Sequence, residues 1–220
     1  KFKEGWIRYE WRWKVKSSKI SIGHKLVSSK QEWKENNRGR VLIWAEQGIG
    51  DEILFASLIP EFSKKIDNLI LQVDKRLIPL YKRSFHQNII YLDRNDTLEE
   101  EKYDYQIALG SLPRFSRNSI ESFGNDDKPL LKVDKYKSTQ LKSKVKKNKF
   151  EKIIGISWKT NSKEQRGRSI ALEELITQIN GPNISFINLQ YGDTSEELKN
   201  INLKYGLNIK EIKEIDNFQD

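Results

Sequence analysis

The chain has 220 residues, 36% apolar and 32% charged, with 40 Lys and Arg against 31 Asp and Glu and a formal charge of +9. That length favours one large or two small domains, and the basic balance suits an anionic partner without choosing among nucleic acid, a phosphorylated small molecule and an acidic membrane surface. The lack of cysteine excludes disulfides, thiolate catalysis and cysteine metal sites, and two isolated histidines, His24 and His86, cannot build a histidine metal cage.

No apolar run approaches the roughly 18 residues of a membrane span, and no signal peptide is recognisable. The expectation is therefore no metal, no membrane span and, by default, a cytoplasmic location. Methionine is missing even at position 1, which leads us to expect a fragment of a longer reading frame.

Residues 1–39 open with KFKEGWIRYEWRWKVK, aromatic and basic together, which reads as an amphipathic packing segment or a partner surface; 17–39 read as loop. From Arg40 short apolar runs alternate with helical stretches. RVLIWAE (40–46) is a predicted buried strand and DEILFASLIPEFSKKI (51–66) a helix that Pro60 must kink or break. NLILQV (68–73), NIIYLD (88–93) and YDYQIALG (103–110) are predicted strands, with RLIPLYKRSF (76–85) a short helix. Residues 135–151 form a lysine-rich linker or solvated helix face, the boundary between domains 40–134 and 152–220. Beyond it come strand KIIGISWK (152–159), helix RSIALEELITQI (168–179), strand ISFINLQ (184–190), helix SEELKNINLKY (195–205) and an edge strand IKEI (209–212). Strands separated by helices imply parallel pairing in an α/β sheet.

Two loops carry the candidate chemistry. In Glu46-Gln47-Gly48-Ile49-Gly50-Asp51 a strand runs through two glycines into a helix, the corner at which α/β sheets collect ligands against free backbone amides. Glycine there permits positive φ and close backbone approach. The stretch is neither a P-loop nor a dinucleotide fingerprint, because no Gly-Lys-Ser/Thr follows and the third glycine position is Ile53. Asp51 is either the helix N-cap or a carboxylate aimed outward to take a proton from a hydroxyl, and spacing alone does not choose. The second loop, Ser157-Trp158-Lys159-Thr160-Asn161 to Arg166-Gly167-Arg168-Ser169, gathers three cations before a helix; a diphosphate would suit them, and a plain surface loop is the alternative. His86 reads as an ordinary loop residue.

YEWRW, WAEQGIGDEILFASLIP, GSLPRF, IGISWKTN with RSIALEEL, and INLQYGD occur in order over nearly the whole chain. In these blocks the sequence resembles the glycosyltransferase domain that follows tetratricopeptide repeats in bacteria, which is similar to heptosyltransferases and, more distantly, to protein O-GlcNAc transferases. The resemblance implies a GT-B fold: a Rossmann-like acceptor-side domain and a second Rossmann-like domain, here incomplete, facing a cleft. It implies a nucleotide-sugar donor as substrate, a glycan, lipid-linked or protein acceptor, no cofactor, and repeats upstream in the same chain. Asp51 falls on the family's proposed general base, with Gln47, Gly48 and Gly50 around it; Arg168 falls on the donor-phosphate contact, with Lys159 and Thr160 beside it. The family's Asp-Thr-small-x-x-His stretch does not occur before IDNFQD, so the expected fragment would lack part of the donor site and be inactive alone. The alternatives are a non-catalytic glycan- or polypeptide-binding module and, resting on charge only, a nucleic-acid binder, which is not expected.

Overall fold

The apolar runs RVLIW and NLILQV become strands buried on both faces, the pattern of a parallel sheet covered on each side. The computed structural model describes residues 1–15, 25–85, 88–124, 129–145, 152–160 and 167–212. His24, His86, Asn161, Arg166 and the terminal IDNFQD lie outside the described residues. The chain divides into two units, Lys1–Lys132 and from Val133 onward.

The first unit begins with α1 (Phe2–Tyr9) and a 3-10 turn over Glu10–Lys14. Then follow β1 (Arg40–Trp44), α2 (Ile49–Ala56), α3 (Ile59–Phe62), β2 (Asn68–Val73), α4 (Ile78–Ser84), β3 (Ile89–Asp93), β4 (Tyr105–Ala108) and α5 (Pro113–Ser116). The strands pair in parallel in the order β3-β2-β1-β4, a Rossmann-like arrangement in which the chain reverses direction across the sheet between β3 and β4. Val41 and Ile43 point into one core with Leu69, Leu71, Ile107, Phe62 and Tyr81, while Leu42 and Trp44 point into the opposite one with Ile70 and Tyr103.

The helix predicted over 51–66 is broken as Pro60 requires. Proline has no N–H and its ring crowds the carbonyl four residues back, so α2 stops at Ala56 and Pro60 sits in the first turn of α3, where it is tolerated. The start differs from expectation: α2 begins at Ile49 with Gly48 as N-cap, so Asp51 occupies the third helical position instead of the cap. Trp33, in the stretch read as loop, is fully buried, its N–H donated to Gln106 O at 2.9 Å as the segment closes the open edge of β4.

The second unit holds α6 (Lys135–Val145), β5 (Lys152–Ile156), α7 (Leu172–Ile179), β6 (Ile184–Asn188), α8 (Ser195–Tyr205) and β7 (Lys210–Glu211). Its strands are again parallel, in the order β5-β6-β7, and its core gathers Ile156, Trp158, Leu172, Ile176, Phe186 and Leu198. Residues 135–145 of the expected linker are thus helical and belong to this unit. The helix predicted from Arg168 starts four residues later. Ile170 N–H is donated to Trp158 O at 2.9 Å, which holds 168–170 alongside the end of β5, and Ala171 is still extended. Among the described residues no helix is long and apolar enough to cross a membrane.

Candidate functional site

The first corner lies at the carboxyl end of β1 and is fixed from beneath by a buried ion pair. Arg12 donates to Glu46 Oε1 at 3.1 Å, with side chains only 5% and 2% exposed. The same guanidinium donates to Ser111 Oγ at 2.7 Å and Glu10 Oε1 at 2.9 Å, and lies 4.3 Å from the Trp13 ring centroid. Glu46 accepts as well from Gln47 Nε2 (3.1 Å) and, through Oε2, from Gly110 N–H (3.3 Å). A Cβ at Gly110 would collide with the Glu46 carboxylate, so this glycine is required by close approach. Burial alone would raise Glu10, but its bonds to Arg12 and Ser111 outweigh it and hold the carboxyl below its ordinary value.

Above this layer Gln47 Nε2 donates to Tyr9 Oη at 2.6 Å. Burial lifts the Tyr9 phenol above its ordinary value, and the nearby negative charges of Glu46 and Asp51 add to the rise. Asp51 itself is exposed, and no hydrogen bond or ion pair joins it to another described residue. It is therefore an outward carboxylate in the first turn, and the N-cap alternative falls. Gly48 has φ −69°, and neither Gly48 nor Gly50 adopts the left-handed conformation that motivated the expectation of positive φ. A Cβ at Gly50 would meet nothing, and one at Gly48 only Asp51 Oδ2 at 3.8 Å. The fold requires neither glycine.

Beside Asp51, Glu52 points the other way, into the protein. Its side chain is fully buried, bonded to Arg94 and accepting Asp74 N–H at 2.9 Å, while Arg94 also donates to Gln47 O at 3.1 Å. Burial disfavours the ionised form strongly enough to outweigh Arg94, and the Glu52 carboxyl is pushed up to about 7.

The second corner, at the carboxyl end of β5, opens into a cavity of about 570 Å³ lined by residues 157–160, 167–170 and Tyr191. Lys159, Thr160 and Arg168 all line it, so the structure brings the three predicted residues together. The loop is organised by a neutral side chain. Gln190, buried, accepts through Oε1 from Trp158 N–H (3.0 Å), Lys159 N–H (3.0 Å) and Ser157 Oγ (3.1 Å). Asn188 Oδ1 in turn receives Gln190 N–H at 2.8 Å. Thr160 N–H is donated to Ser169 Oγ at 3.0 Å, closing the mouth of the loop. Lys159 Nζ pairs with Glu197 at 2.8 Å, both 34% exposed, so its charge is shared with α8.

Sequence reasoning missed Arg12, Glu46, Glu52, Arg94, Gln190 and Glu197. Two of them left a signal: Glu46 and Glu52 are acids inside apolar runs, and an acid there needs a buried partner.

No family model matches this chain, and no solved structure matches it. It is similar to Protein FlbA of Caulobacter vibrioides, with 29% identity over 214 residues, covering 89% of this chain and 35% of FlbA. The chain thus spans about a third of that relative's length.

Two outcomes follow from the buried charges. Arg12→Met leaves Glu46 desolvated and unpaired and should cost about 3–5 kcal/mol in denaturant unfolding, much of it recovered when Glu46→Gln is added. For Glu52, a folded-state value near 7 against 4.5 means the folded chain holds the proton more tightly. Its stabilising contribution is complete below about 4.5 and disappears as pH rises through 7, a change of up to about 3 kcal/mol. Glu52→Gln should flatten that part of the wild-type stability curve.

Proposed function

We propose that this chain is part of an inverting, metal-independent glycosyltransferase of GT-B architecture, using a nucleotide-sugar donor and a hydroxyl acceptor. The observation that carries the reading is the state of Asp51: a solvent-facing carboxylate without a partner among the described residues, held in the first turn of α2 beside two buried acids, Glu46 and Glu52, that are each paired with an arginine. Around it the bare backbone of Gly48 and Gly50 leaves room for a substrate to approach. The blocks that carry the family resemblance also form the two networks: YEWRW, AEQGIGD and GSLPRF meet at Arg12, Glu46 and Ser111, and GISWK meets INLQYGD at Gln190.

In this reading the acceptor hydroxyl gives its proton to Asp51 and its oxygen attacks the anomeric carbon. The bond from that carbon to the diphosphate oxygen breaks, and the diphosphate leaves with the electron pair. Arg168, Lys159 and the Thr160 hydroxyl neutralise and bind the departing charge. Lys159 spends one N–H on Glu197 and retains two for phosphate oxygens.

A second reading, a non-catalytic binding module, is favoured by one feature. An apolar groove of about 460 Å³ runs along α1 at Phe2, Gly5, Trp6 and Tyr9. Titration of the complete protein with nucleotide sugars separates the two, since a pure glycan or polypeptide binder gives no heat with any donor.

In the complete protein Asp51→Asn should lower turnover by roughly 10²–10⁴ with little change in stability, and normal turnover would remove Asp51 from the mechanism. Gly50→Ala should raise thermal stability, by about 0.5–1 kcal/mol for a helical site, while weakening acceptor use seen as a higher KM. Unchanged acceptor kinetics would mean that no substrate approaches this backbone.

A further inference from the structure

The cavity at the second corner has a lining of two chemical kinds, and the donor reading accounts for only one. Lys159, Thr160, Arg168 and Ser169 supply cations and hydroxyls, which suit phosphate oxygens. The lining also includes Tyr191, 46% exposed, with no ring contact among the described residues. A part-exposed tyrosine lining a cavity loses apolar hydration when a planar ring covers it, and base–aromatic stacking of this kind tolerates any base.

The two parts of the lining are tied together by one side chain. Gln190 accepts the Trp158 and Lys159 N–H groups through its carbonyl oxygen, and its amide donates to Tyr191 O at 3.2 Å. A single buried amide therefore ties the backbone of the phosphate-binding loop to the backbone that carries the tyrosine. Asn188 locks it in turn: Oδ1 takes Gln190 N–H, and Nδ2 donates to Thr194 Oγ1 at 3.0 Å.

We propose that Tyr191 is the platform for the nucleoside of the donor, held by Gln190 at a set distance from the cations that bind its diphosphate. The inference rests on the donor reading above and goes beyond it by assigning the base-contacting residue. Tyr191 contributes ring area and no charge, so it binds the nucleoside without affecting the affinity for phosphate.

Calorimetry on the complete protein tests this with two probes, inorganic diphosphate and a nucleoside diphosphate, each titrated into wild type, Tyr191→Phe and Tyr191→Ala. Tyr191→Ala should weaken nucleoside diphosphate binding about five- to 150-fold and leave inorganic diphosphate unchanged, while Tyr191→Phe retains both affinities. Equal losses for both probes in Tyr191→Ala, or no loss for the nucleoside diphosphate, would overturn the assignment. A wild type that binds inorganic diphosphate as tightly as the nucleoside diphosphate overturns the platform alone and leaves the phosphate loop in place. A wild type that binds neither probe removes the donor reading, and the platform with it.

Discussion

The Arg12–Glu46 ion pair is the constraint on which the first corner depends. Two charges almost fully removed from water are costly unless every donor and acceptor is matched, and an unmatched one is costlier still. Arg12 reaches Glu46, Ser111 and Glu10 through its terminal nitrogens while its buried Nε has no hydrogen-bond partner among the described residues, and Glu46 reaches Gln47 and the Gly110 amide, so three segments far apart in sequence must come together for either charge to be tolerated. The penalty for misplacement gives the loop its definition. A purely apolar contact of the same area would let the strand end slide, whereas hydrogen bonds to a buried carboxylate fix both distance and direction.

The second corner solves the same positioning problem without charge. A carboxylate in place of the Gln190 amide could accept the same two backbone N–H groups, but it would put a negative charge beside Lys159 and Arg168. The carbonyl oxygen of glutamine organises the loop without adding a negative charge beside those cations. The one carboxylate close by, Glu197, sits on α8 and meets Lys159 near the surface, where solvent screens the pair.

How much of this was legible in the sequence depends on the residue. β2 and α8 were read to the residue, because NLILQV is a short β-branched and leucine run between turns and SEELKNINLKY has an acidic first turn and is followed by Gly206. The parallel sheets followed from strand–helix alternation. Helix starts were read late or early, since local propensity cannot see that Gly48 caps α2 or that Trp158 O draws Ile170 out of α7. Trp33 was invisible for another reason: one apolar side chain in KQEWKENN has no periodicity, and only the open edge of β4 gives it a place to be buried. Gln190 is harder again, because nothing in a polar residue at a strand end distinguishes a buried organiser from an exposed one.

The glycines separate structural need from something else. At Gly110 a Cβ would strike the buried, hydrogen-bonded Glu46 carboxylate, so packing explains its lack of a side chain. Gly48 is the N-cap of α2, a position where glycine is among the favoured residues, but Gly50 answers to no such demand, for its φ suits any residue and the space around it is empty. A glycine within the first helical turn weakens the helix relative to alanine, so keeping one there costs stability that the fold gains nothing for. Gly50 leaves the backbone at the positive end of α2 without a side chain, beside a carboxylate that pairs with no other described residue. Under the reading proposed above, that uncovered backbone over a buried, hydrogen-bonded ion pair is where an acceptor approaches.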